Sequence, residues 1–309
     1  MSGVVQVAPV WAAAAVLLTV LAGVAGAVFE AVVQARSDGR RGGLLAPVAE
    51  TARLLRQPRR SLLSADVLLW RIGTTGLPVI AVLMAAVLPF GSWVIADLPV
   101  GLVWFNAMDV MVWAAVWLAG WGPNSAHAMI GGYRFLGLAL GYELPLMFAL
   151  TAPAVAAGSL RMADIVAGQE TLWYVAWMPV AFVVFCAAVL AFSLHRPFDA
   201  PAGADLGGGV LAEAAGVDRL LLLAGRHMLL AVGSGFAVAL FLGGGAGPFL
   251  PGWAWFLTKT LVLLGVLLVV RRRLGPLRPD QLMAPAWLVA LPAVLLQLAV
   301  VAVVAVARG

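Results

Sequence analysis

Soft metal ligands are almost missing from this chain, which has one cysteine, Cys186, and three histidines among 309 residues. One thiol cannot close an internal disulfide, and no Cys/His spacing reads as a zinc or iron–sulfur site. The expected metal complement is therefore none, and any redox centre must belong to a partner or a diffusible ligand. Charge is scarce as well. Only 11% of the residues are charged, against roughly 25% in a soluble domain. Too little polar surface remains to face water, so no large part of the chain can fold as a soluble domain.

Apolar residues fill the gap, at 63% of the chain and a mean hydropathy of +1.03. A transmembrane helix needs about 20 mostly apolar residues. Eight segments qualify: Val7–Phe29, Ile72–Ile95, Val100–Trp121, Gly132–Ala156, Leu172–Ser193, Leu221–Leu242, Trp253–Val270 and Pro285–Val306. The expected fold class is all-α, a polytopic integral membrane bundle of about eight transmembrane helices, with residues 1–309 forming one domain. The first run is too long for a signal-peptide core and no basic residue precedes it, so it is expected to be retained.

The basic residues set the orientation. Eight arginines lie from Glu30 to Arg71, the latter included, and Arg134, Arg196, Arg219, Arg226, Arg271, Arg272, Arg273 and Arg278 fall on the same face. The opposite face holds Arg161 and Arg308 alone, and Lys259 lies within a span. Such a bias predicts a multi-pass protein of the inner (plasma) membrane, with the basic loops cytoplasmic and both termini outside. It also accounts for the net charge of +5 without a nucleic-acid partner. The two long loops on the basic face, 30–71 and 194–220, are where a partner would dock.

Charge at mid-bilayer costs roughly 2.5–3.5 kcal/mol per group on insertion scales. Asp109, Glu143 and Lys259 are nevertheless within spans. The two acids could hold or pass protons, or belong to structural ion pairs. Lys259 could pair with either acid or snorkel to the outer interface. A second concentration lies after the fifth run, where Asp199, Asp205, Glu213 and Asp218 fall within 20 residues, together with Arg196, Arg219 and Arg226. Gly203, Gly207, Gly208 and Gly209 make this loop pliable, so it is either solvated or folded back into a protein-lined cavity. Residue types alone suit a proton-coupled subunit or a secondary transporter. The matching halves typical of many transporters are not visible.

Five strings carry a resemblance. They are Gly43-Leu44-Leu45-Ala46-Pro47 with Arg53-Leu54-Leu55, Gly120-Trp121-Gly122-Pro123-Asn124-Ser125, Gly141-Tyr142-Glu143-Leu144-Pro145-Leu146, Arg196-Pro197-Phe198-Asp199 with Asp205 and Glu213 downstream, and Lys259-Thr260 with Asp280-Gln281-Leu282-Met283. In this order they resemble the family of the NADH-quinone oxidoreductase H subunit, which is subunit 1 of respiratory complex I. Membrane subunits of formate hydrogenlyase and energy-conserving [NiFe] hydrogenases belong to the same superfamily. The resemblance implies a subunit that is not catalytic alone and binds no cofactor itself. It would join peripheral-arm quinone-site subunits to antiporter-like membrane subunits, with quinone as substrate. It further implies a proton path through Glu143, Asp199, Asp205 and Glu213, to which the residue reading adds Asp109 and Lys259. Glu30, Arg36, Arg53, Arg196, Arg278 and Asp280 would face the quinone cavity or the partner. Several strings depart from the family: PFD.PE.E reads Pro197-Phe198-Asp199-Ala200-Pro201-Ala202-Gly203-Ala204, the first loop has Asp38-Gly39-Arg40-Arg41-Gly42 in place of GPNR..GP, and AEY in the sixth span reads Ala224-Gly225-Arg226-His227. A carboxylate is lost there, and Asp109 or His227 could take over its part of the path. A hydrogenase-type anchor is the alternative assembly.

Overall fold

A computed structural model describes residues 4–39, 42–204 and 207–308. The short strand β1 (Val5–Gln6) pairs in parallel with β2 (Trp93–Val94); the rest is helical. A 3-10 turn at Pro9–Trp11 leads into α1 (Ala12–Ser37), followed by α2 (Ala46–Arg56), α3 (Val67–Ala85), α4 (Gly101–Trp121), α5 (Ala126–Ala157) and α6 (Met162–Ala167). Then come α7 (Pro179–Phe192), α8 (Gly216–Phe241), α9 (Gly252–Arg273), α10 (Pro279–Pro285) and α11 (Leu291–Arg308). A π-turn at Ala286–Ala290 makes α10 and α11 one continuous rod.

Seven helices among the described residues are long and apolar enough to cross a bilayer. The expected span Leu172–Ser193 is corrected. Its first part is a 3-10 turn at Tyr174–Ala176, and only Pro179–Phe192 is α-helix, with 14 residues. At 1.5 Å per residue that is roughly 21 Å, short of a hydrocarbon core of about 30 Å. Pro179 is at the first helical position, where its missing N–H is no loss. Gln297 on α11 completes this start: its Oε1 accepts from Ala181 N at 2.7 Å and its Nε2 donates to Trp177 O at 3.1 Å. The span expected over Ile72–Ile95 ends at Ala85, where the chain turns toward β2. By contrast, α5 starts at Ala126, before the expected Gly132.

The centre of the bundle is α8, buried at every residue from Met228 to Phe241. Phe236 packs on Phe105 of α4 with ring centroids 4.1 Å apart. Phe185 and Phe192 of α7 close the same aromatic cluster. Lipid tails give helices no hydrophobic reason to associate, so close packing must supply the attraction. A Cβ on Gly73 of α3 would be 2.3 Å from Ala119 N and 2.8 Å from Ala115 O of α4. A Cβ on Gly225 of α8 would be 2.4 Å from Leu77 Cβ of α3. These glycines let three backbones touch.

Gly73→Ala is expected to force α3 from α4 and cost about 1–3 kcal/mol, seen as a lower melting temperature and less chain in the membrane. Gly275→Ala meets nothing within 4 Å and should leave both unchanged. Equal behaviour of the two variants would contradict the backbone contact.

Candidate functional site

The mid-membrane acids are brought together. Asp109 on α4 is wholly buried and faces the half-buried Glu143 of α5. Trp113 Nε1 donates to the Tyr142 hydroxyl at 3.1 Å, and that hydroxyl donates to Asp109 Oδ1 at 3.4 Å. Asn106 Nδ2 donates to Glu143 Oε1 at 3.3 Å. Asp109 Oδ2, Glu143 Oε2 and Asn106 Oδ1 are left buried without a hydrogen-bond partner. Ionised carboxylates only accept and cannot bond one another. One proton on either acid turns the pair into donor and acceptor, so this arrangement is built to hold a proton.

A second group gathers at the end of the bundle that carries the basic loops. Glu30 of α1 pairs through Oε1 with Arg271 of α9 and meets His227 Nε2 of α8 with Oε2 at 3.1 Å. His227 Nδ1 lies 2.9 Å from Leu223 O. A carbonyl only accepts, so Nδ1 carries the hydrogen of that contact, and Nε2 faces Glu30. His195, in the turn after α7, packs its ring edge-on to His227 with centroids 5.3 Å apart. Burial pushes the proton affinity of His195 well below the usual histidine range, helped by the charges of Arg226, His227 and Arg271. Arg226 donates to Leu194 O, at the head of the same turn. Arg226 and His227 thus contact the turn after α7 and Glu30, respectively.

The loop between α7 and α8 is folded against the bundle. Phe198, Ala202, Val210, Leu211 and Ala214 are all buried. Gly209 N donates to His127 O at 2.9 Å, and Arg134 Nη1 donates to Gly208 O at 2.9 Å. Glu213 takes Arg60 at 2.5 Å and Ser125 Oγ at 2.7 Å. Asp199 pairs with Arg196 at 3.1 Å. Asp205 lies outside the described residues. Arg36 is exposed on the last turn of α1. Arg53 is tied to Glu50 of its own helix at 2.6 Å, and Arg278 pairs with Asp280 at 3.3 Å, both exposed.

Lys259 does not join either acid, which corrects that expectation. Its Nζ donates to Leu242 O at 2.7 Å, Gly244 O at 3.1 Å and Ala246 O at 2.7 Å, and lies 4.1 Å from the Trp173 ring centre. Three carbonyls past the end of α8 satisfy all three ammonium donors and suit a cation at a helix C-terminus. No Cys/His spacing points to the second group, but α1, α8 and the turn after α7 converge on Glu30, His195 and His227. His195 escaped sequence reading because its partners are far away in the chain; its place directly before Arg196-Pro197-Phe198-Asp199 was the only signal. An apolar cavity of about 440 Å³ lies elsewhere, among Trp11, Phe90, Trp93 and Phe256. Its Thr19 and Thr260 hydroxyls are spent on Ala15 O and Phe256 O, so it suits hydrocarbon.

A helical bundle with paired acids at mid-depth and an ion cluster at one end is a polytopic membrane protein organised around internal ionisable groups. Comparison with known proteins makes this specific. A family model described as NADH dehydrogenase matches residues 9–302. The chain is 38% identical over 267 residues to the NADH-quinone oxidoreductase H subunit 2 of Geobacter sulfurreducens, covering 83% of this chain and 81% of that one. It is 36% identical over 269 residues to the H subunit 1 of the same enzyme in Geobacter metallireducens, covering 84% and 82%. It is 37% identical over 273 residues to an H subunit 2 of Cereibacter sphaeroides, covering 86% and 85%. The chain belongs to the NADH dehydrogenase family.

Removing one partner of a buried ion pair costs roughly 3–5 kcal/mol. Arg271 is 10% exposed but Glu30 is 35% exposed, so Arg271→Met is expected to lose less than that. The double variant Glu30→Gln/Arg271→Met should recover part of the loss in melting temperature. Additive losses would show that the two side chains act independently.

Proposed function

We propose that this chain is the membrane subunit of a NADH-quinone oxidoreductase. It docks the quinone-reducing peripheral arm on its basic face and starts proton transfer into the membrane arm. Its relatives are named for that complex, and none of the three relatives compared is named for a hydrogenase. The basic face is cytoplasmic in this reading. Loops 30–71 and 194–220 line the quinone approach there, with Glu30, Arg36, Arg53, Arg196, Arg278 and Asp280 toward the cavity or the partner. Quinone is the substrate, and electrons reach it through partner subunits, because this chain offers no thiol cluster for an iron–sulfur centre.

The observation that carries the proton role is the Asp109–Glu143 pair, with its two buried, unpartnered oxygens. A pair short of one donor accepts a proton readily and gives it up when a neighbouring charge changes. Quinone reduction at the basic end builds negative charge, which draws protons toward it. The loop acids Asp199, Asp205 and Glu213 are the first stations, and Asp109 with Glu143 the store at mid-membrane. Lys259, whose ammonium donors are all held by carbonyls, relays no proton.

The test is Glu143→Gln and Asp109→Asn in the assembled complex. Electron transfer should continue while proton delivery slows about tenfold or more, equivalent to ~1.4 kcal/mol or more on a barrier. An unchanged proton yield per electron in both variants would leave the chain as an anchor that passes no protons.

A further inference from the structure

Glu30, His195 and His227 each offer one ligand atom to a common point, and these atoms all lie within 4.8 Å of one another. The supports of both rings are fixed by hydrogen-bond inventory. His227 Nδ1 donates to Leu223 O at 2.9 Å, which leaves Nε2 as its ligating atom. Ser193 Oγ gives its proton to Val189 O at 2.5 Å, so it accepts from His195 Nδ1 at 3.0 Å. A ring nitrogen steadied by an oxygen is the support that metal-bound histidines characteristically have. Arg271 holds the other oxygen of Glu30 and fixes the carboxylate. The three residues come from α1, the turn after α7, and α8, so no sequence spacing would reveal them.

We propose that Glu30, His195 and His227 form a site for a divalent transition-metal ion of the zinc class, with a fourth position left to water. Two imidazoles and one carboxylate are a donor set that suits zinc and its neighbours; calcium and magnesium want oxygen. Bonds of about 2.0–2.2 Å around a tetrahedral ion place ligands roughly 3.3 Å apart. Glu30 and His227, 3.1 Å apart, need hardly move. Against a widest separation of 4.8 Å, His195 closes by roughly 1.5 Å at most. The ion sits between Glu30 and His227, where their ligand atoms already approach. Arg226 and Arg271 face the same point and repel a dication, so affinity falls below that of a structural zinc site. An ion held here ties α1, α8 and the loop after α7 together at the basic end. Binding at this point is independent of the proton role of Asp109 and Glu143.

The test compares the purified, assembled complex with its His195→Gln and His227→Gln variants, using ⁶⁵Zn²⁺ in equilibrium dialysis. The wild type should bind one more zinc than either variant, with affinity there falling about tenfold or more. Zinc X-ray absorption of the added ion should show two imidazole ligands. Equal zinc binding in all three proteins would overturn the site, and so would an added zinc without histidine scattering. If a histidine variant does not assemble, the wild-type absorption spectrum decides: two imidazoles on the added ion support the site, and none overturns it.

Discussion

A hydrocarbon layer contains no water to answer a polar group, so each one inside it must find its partner within the protein. Much of this bundle obeys that constraint closely. Buried Gln169 donates to Ile165 O and Ala239 O and accepts from Tyr174 N and Gly243 N. Lys259 meets three carbonyls. Against that background, three buried oxygens without partners, on Asn106, Asp109 and Glu143, crowd one spot. A bundle that satisfies a lysine three times over leaves that spot short of a hydrogen, which marks it as the place where a mobile one belongs.

The two ends of α8 handle charge in opposite ways. Beyond its C-terminus a lone cation is neutralised by backbone dipoles and an aromatic face. In its first half, Arg226 and His227 stand beside the glutamate of α1 and the arginine of α9. Ionisable chemistry at this end thus gathers a glutamate, two arginines and a histidine from α1, α8 and α9.

Much of this could be read from sequence. Run length and arginine placement pointed to the bundle and its basic face, because lipid tolerates so few alternatives. Glu143 and Asp109 stood out as acids in apolar surroundings. That they face each other did not follow, since they lie on different helices and only the α4–α5 packing sets their register. For Lys259 the pairing with an acid failed for a related reason: its partners are backbone carbonyls, which have no residue signature. The shortened α7 was hidden because an apolar run looks alike whether helix or loop, and the residue that allows the loop, Gln297, is 116 positions from its amide partner Ala181.

That distance has a consequence for how the chain is made. Translation delivers α7 well before the last helix exists. Until Gln297 is in place, Ala181 N and Trp177 O lack the side chain that joins them to α11. The order of synthesis therefore leaves the start of α7 to be completed from α11, through one glutamine that bonds both Ala181 N and Trp177 O.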